Sequence, residues 1–283
     1  MTGKKLPQKY TSTSVVYAMN RASQIMNVTQ GLLDKAKAAR DISTQVDDSW
    51  IDRLYEWADN HKIPDLYWDE KKKIYRGLTR NRADLNTVTE LHLFDCYVNE
   101  LPPEIGQLTS LKELALGNNR LTELPPEIGQ LTSLENLDLS GNDLAELPPE
   151  IGQLTSLENL ELGVNLLSEL PPEIGQLTSL KKLDLNWTEL TELPPEIGQL
   201  TSLEVLDLFF SSITELPPEI GQLTSLKNLD LNCTGLTELP LEIGQLTSLE
   251  TLGIQNIESA EDWFKSNDAK LLLDKLQDKG FTI

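Results

Sequence analysis

Leu101-Pro102-Pro103-Glu104-Ile105-Gly106-Gln107-Leu108-Thr109-Ser110-Leu111 decides the fold, because the chain repeats this block at a fixed step of 23 residues. Identical copies begin at Leu124, Leu147, Leu170, Leu193 and Leu216, and a seventh begins at Leu239 with Leu241 in place of the second proline. A period of this length marks a stacked architecture, in which each unit buries its apolar face only against its neighbours.

The stretches between blocks vary but keep a frame. Counting the last leucine of a block as offset 0, apolar residues return at offsets 3, 5 and 10, as in Leu134, Leu137, Leu139 and Leu144, with Asn142 at offset 8. The Leu-x-Leu pairs alternate with polar neighbours, the period of a strand with one buried face, so stacked copies predict a parallel sheet with one strand per repeat. The prolines suit a short helical turn that returns the chain on the other side, since they donate no amide hydrogen. Gly106 is expected to let that turn end tightly. Ile105, Leu108 and Leu111 are expected to point inward with the strand leucines.

Block and stretch together resemble the leucine-rich repeat, LxxLxLxxNxL followed by LPxxIxxLxx, in its 23-residue form. They are similar to the repeats of bacterial leucine-rich-repeat proteins and of the Scribble/Erbin and Ras-group families. The resemblance covers about residues 88–257 and implies an α/β solenoid, with a curved parallel sheet on the concave side and helical caps at both ends. It further implies that the offset-8 asparagines, Asn119, Asn142 and Asn165, bond backbone groups in the bend after the strand. Cys96, Thr188, Ser211 and Thr234 depart from that pattern, and hydroxyls bond backbone groups more weakly.

Four segments follow: a basic helical segment at 1–46, an N-terminal cap at 47–87, the repeats at 88–257 and a C-terminal helical cap at 258–283. Val15, Met19, Ala22, Met26, Leu33 and Ala36 recur at helical spacing between about Ser14 and Arg40, as a helix packed on its neighbours or a docking helix. Ser49 and Asp52 have capping-box spacing, opening a helix with Ile51, Leu54, Tyr55 and Ala58 on one face. The stretches Asp65–Trp68 and Lys71–Tyr75 predict a hairpin or an extended connection. Beyond Leu252, Ser259–Asp262 opens a helix, Trp263 and Phe264 add apolar bulk, and Leu271, Leu272, Leu273 and Leu276 mark a second.

Charge divides the chain. Residues 1–87 carry 15 Lys and Arg against 11 Asp and Glu, a balance of +4, whereas residues 88–283 carry 9 against 34, a balance of −25. Such a body repels phosphate backbones, so nucleic acid is a poor partner and a basic protein surface a better one. Cys96 and Cys233 stand six repeats apart, too far for a disulfide. With no apolar signal region and no membrane-length apolar run, a cytoplasmic protein is expected, or an effector exported without a classical signal.

Nothing in the sequence supports catalysis or a cofactor. His61 and His92 lack a cysteine or carboxylate at metal-ligand spacing and read as surface histidines. No phosphate-cradling loop or nucleophile elbow occurs. The carboxylates are regular: Asp138, Glu161, Asp184, Asp207 and Asp230 share offset 4 and form a column on the concave face. Neighbours about 5 Å apart repel by roughly 0.8 kcal/mol in water. The column is either a solvated inheritance of the copied module or a stripe that attracts a basic partner.

Offset 7 carries Asn118, Gly141, Val164, Trp187, Phe210 and Cys233 in successive repeats, with Phe209 and Leu166 adjoining. Contiguous exposed apolar side chains mark interaction sites, and tryptophan is frequent among binding hot spots. The alternative is that a cap or the bend folds over them and makes them core. The partner-binding surface expected is therefore Val164, Leu166, Trp187, Phe209, Phe210 and Cys233 with an acidic edge of Asp184, Asp207 and Asp230. The chain reads as a non-enzymatic protein-interaction module for a basic or mixed basic and apolar partner. The other reading is a scaffold subunit that self-assembles through its N-terminal helix.

Overall fold

The computed structural model describes residues 48–69, 74–255 and 265–278; the helix expected at Ser14–Arg40 and the segment Ser259–Phe264 lie outside them. Helix α1 (Ser49–Asn60) leads into an antiparallel hairpin of β1 (Tyr67–Asp69) and β2 (Ile74–Arg76), then the short α2 (Arg82–Leu85). The repeats follow as β3 (Glu90–His92), β4 (Glu113–Ala115), β5 (Asn136–Asp138), β6 (Asn159–Glu161), β7 (Lys182–Asp184), β8 (Val205–Asp207), β9 (Asn228–Asp230) and β10 (Thr251–Gly253). Helix α3 (Asn267–Asp278) ends the described chain.

Strands β3 to β10 form one parallel sheet in sequence order. Its register advances by one repeat at each strand, so Leu91, Leu114, Leu137, Leu160, Leu183, Leu206, Leu229 and Leu252 pair in a row. Between successive strands, on the opposite side, a 3-10 turn runs over Pro-Glu-Ile-Gly-Gln, from Pro103–Gln107 to Pro218–Gln222, with Leu241–Gln245 as the last. The first proline of each pair is extended, at φ −75° and ψ 149° for Pro102, and the second opens the turn, where its missing N–H costs nothing. Between the layers Ile105, Leu108, Leu111, Leu114 and Leu116 and their equivalents in the internal repeats are buried, whereas Val88, Leu252 and Ile254 at the two ends are only partly so.

The glycine of each turn has another purpose than a tight ending. None of these glycines has positive φ. A Cβ on Gly106 would lie 2.6 Å from the backbone oxygen of Glu127, and equivalents down the column would meet the next repeat at 2.7–2.8 Å. Glycine is required because consecutive turns approach too closely for any side chain.

At the front of the sheet, Ile51, Leu54, Trp57 and Ala58 of α1 join the core of the repeats, and Trp57 Nε1 donates to the Glu100 carbonyl (2.9 Å). The expected capping box does not form. Asp48 occupies the N-cap without a side-chain bond, and Ser49 Oγ instead accepts from Arg53. Histidine 92, expected at the surface, is only 3% exposed. The reason is the hairpin: Gly77 N–H donates to the His92 carbonyl, so β2 lies over a position that faces solvent in later repeats. His92 Nε2 sits 3.0 Å from Glu113 Oε1, at ion-pair distance but without hydrogen-bond alignment.

Candidate functional site

Each strand is three residues long, so offset 7 falls beyond it, in the bend itself and not on the strand face. There Asp95, Asn118, Val164, Trp187, Phe210 and Cys233 all have φ between 52° and 58°, and Gly141 has 65°. A ladder across repeats holds this left-handed conformation. The N–H of each of these residues donates to the offset-6 carbonyl of the following repeat, from Asp95 to Gly117 through Trp187 to Phe209 and Cys233 to Gln255, at 2.7–3.0 Å.

Glycine, asparagine and aspartate tolerate this backbone, which costs other residues roughly 1–2 kcal/mol and is worst for β-branched ones. The first three copies carry the tolerant residues. From the fourth on stand Val164, Trp187, Phe210 and Cys233, the types that the bend disfavours.

These side chains do not recover the cost by burial. Val164 is 55% exposed, Leu166 49%, Trp187 50% and Phe210 48%, while Phe209 and Cys233 are half-buried. Among the described residues neither the flanking helices nor the bend buries the patch. Trp187 and Phe210 stack with centroids 3.9 Å apart, and Phe209 closes the group at 6.2 Å from Trp187 and 6.0 Å from Phe210. Across four repeats the patch is about 14 Å wide at the usual strand spacing.

The acidic column turns out to serve the bend. Asp138, Asp184, Asp207 and Asp230 each accept, through Oδ1, the N–H two residues ahead, on Ser140, Asn186, Phe209 and Asn232 at 2.9–3.0 Å. These four carboxylates thus fix the chain as it leaves the strand, a structural part that neither a solvated inheritance nor a partner-attracting stripe includes. Burial, with the neighbouring Asp207 charge adding to it, raises the Asp184 pKa against the lowering effect of its Asn186 bond. Lysines are committed along the same repeats, with Lys182 on Glu161 (2.8 Å), Lys181 on Glu158 (2.8 Å) and Lys227 on Glu204 (2.6 Å). Asp207 and Asp230 line a cleft of about 410 Å³ on the strand side of the last repeats.

Offset 8 divides one repeat later, after Asn165. Asn142 donates to the carbonyls of Leu116 and Leu139 and accepts from Leu121 N–H, joining two repeats, and Asn119 and Asn165 do likewise. Thr188, Ser211 and Thr234 each donate only to the carbonyl three residues back, in their own repeat. Sequence reasoning passed over Tyr97, 67% exposed at positive φ with the Arg120 guanidinium 5.2 Å above its ring. Its only signal was an aromatic residue at offset 9, three repeats before Leu166 at the near end of the patch. Among the described residues no group of His, Cys, Asp and Glu is arranged to hold a metal ion. None of the described helices is long and apolar enough to cross a membrane.

A ladder of equivalent strands and turns, with variable side chains at one edge, defines a repeat solenoid. The chain belongs to the leucine-rich repeat family: the profile of the leucine-rich repeat region matches residues 83–187, 134–209 and 172–267, which together exceed half its length. It is similar to a solved leucine-rich-repeat protein of Leptospira interrogans, at 49% identity over 59% of this chain and 42% of that one, with a TM-score of 0.58. An internalin of Listeria monocytogenes, 22% identical over 63% of this chain and 60% of the other with a TM-score of 0.50, shares the fold. This chain thus spans less than two thirds of either protein. No curated protein matches it. Proteins of this fold are typically interaction modules.

Proposed function

We propose that this chain is a non-enzymatic binding module that holds a protein partner on its concave face and the adjoining bend edge. The observation that carries the reading is the exposed apolar cluster of Val164, Leu166, Trp187 and Phe210 on consecutive repeats, with half-buried Phe209 beside it. Stacked aromatics supply contact area with little side-chain entropy to lose, which suits them to anchor a partner. Asp184, Asp207 and Asp230 lie beside the cluster, and the net charge of −21 steers encounters toward basic surfaces. The helices before and after the repeats act as caps that keep the terminal leucines from solvent.

Affinity capture at moderate salt, followed by calorimetric titration of the purified partner, tests this. The wild type is compared with a Trp187→Glu, Phe210→Glu double variant of unchanged circular dichroism. One protein should bind the wild type and lose at least tenfold in affinity for the variant. Equal affinity for both would remove the cluster from the binding site.

A further inference from the structure

We infer that the left-handed bend position is the address of each repeat, and that its four apolar copies receive an extended partner segment whose apolar side chain is flanked by lysine or arginine. The inference rests on reading the cluster as a protein-binding surface. It adds which column carries specificity and what chemistry meets it.

From Asp95 to Cys233 each bend N–H is tied to the next repeat, so the backbone stays left-handed whichever side chain stands there. The position can therefore change without changing the fold. Asp95, Asn118 and Gly141 are what local preference selects. Val164, Trp187, Phe210 and Cys233 go against it in four consecutive repeats, and the leucines beneath them, such as Leu162, Leu185, Leu208 and Leu231, are fully buried. A residue unfavourable to the backbone and half in solvent points to a use outside the fold.

Charge complementarity gives the occupant its chemistry. Lys181, Lys182 and Lys227 are paired with glutamates, while Asp207, Asp230 and Glu189 have no cation at ion-pair distance among the described residues. A segment lying across four strands, about 14 Å, is about four extended residues long. A central apolar side chain then meets the Trp187–Phe210 stack, and a basic neighbour reaches the carboxylates.

Two measurements on the whole chain test this together. In urea, Val164→Asn should raise the unfolding midpoint by roughly 0.3 M and Asn118→Val should lower it by a similar step. A random twelve-residue peptide library displayed on phage is then selected on wild type and on a Val164→Asn, Trp187→Asn, Phe210→Asn variant. Wild type should enrich peptides with an apolar residue between lysines or arginines, and the variant should not. An unchanged or lower midpoint for Val164→Asn overturns the backbone argument whatever the binding result. Equal enrichment on both proteins, no enrichment on wild type, or enrichment of acidic peptides overturns the address or its occupant. Failure of the double glutamate variant to weaken partner binding is a separate result, and it overturns the underlying surface instead.

Discussion

The indole of Trp187 stacks on the ring of Phe210, centroids 3.9 Å apart and planes 22° from parallel, although one repeat of chain separates them. Each ring is carried on a left-handed backbone. The stack is worth about 0.5–1.5 kcal/mol beyond burial, which offsets part of that backbone cost. A double-mutant cycle of Trp187→Ala and Phe210→Ala, read by urea unfolding, should give a coupling of about 1 kcal/mol. Additive losses would mean that the rings meet without supporting each other.

Asparagine and threonine at offset 8 should differ in what their loss costs. Asn142 ties two repeats through three buried hydrogen bonds, so Asn142→Ala leaves backbone groups of both unsatisfied and should cost about 3 kcal/mol. Thr188 makes one bond within its own repeat, and Thr188→Ala should cost about 1 kcal/mol. Equilibrium denaturation separates the two. Equal losses would show that the cross-repeat bonds add nothing.

Two glycines offer a contrast in close approach. A Cβ at Gly152 would stand 2.7 Å from the backbone oxygen of Glu173, whereas at Gly163 the nearest atom is the movable side-chain oxygen of Asn186. Gly152→Ala should destabilise by about 1–3 kcal/mol, and Gly163→Ala by clearly less. Reversal of that order in thermal melts would place the tight contact on the wrong face.

Asp184 should make stability depend on pH in an unusual direction. Its folded pKa is raised, chiefly by burial, so between the ordinary aspartate pKa and the raised value the folded chain binds more protons than the unfolded one. Its contribution to stability therefore falls as pH rises through that window, and the ionised carboxylate is a cost above it. Asp184→Asn, which retains an oxygen for the Asn186 N–H, should be more stable than wild type at neutral pH. The advantage should shrink as pH falls below the carboxylate range. A constant difference across that range would show that ionisation is not its source.

Much of the molecule is legible without coordinates. The step from Leu101 to Leu124 shows one module copied, and the alternation around Leu137 and Leu139 gives a strand buried on one face. Stacking then follows, since a lone repeat has nothing to bury its leucines against. The patch at Val164, Trp187 and Phe210 is also found by comparing copies, because apolar residues there have no place in the repeating frame.

Tertiary structure alone decided how that patch is held. The sign of φ at Trp187 comes from a hydrogen bond to Phe209, a residue of the next repeat, and nothing local at Trp187 announces it. Glycine and asparagine at the same offset, in Gly141 and Asn118, were the available clue. The burial of His92 and the crowding at Gly106 arise likewise from neighbours distant in sequence. Sequence by itself determined the repeat, because its information is periodic and local. Contacts between repeats decided conformation and exposure, because each bend is completed by groups from the next copy.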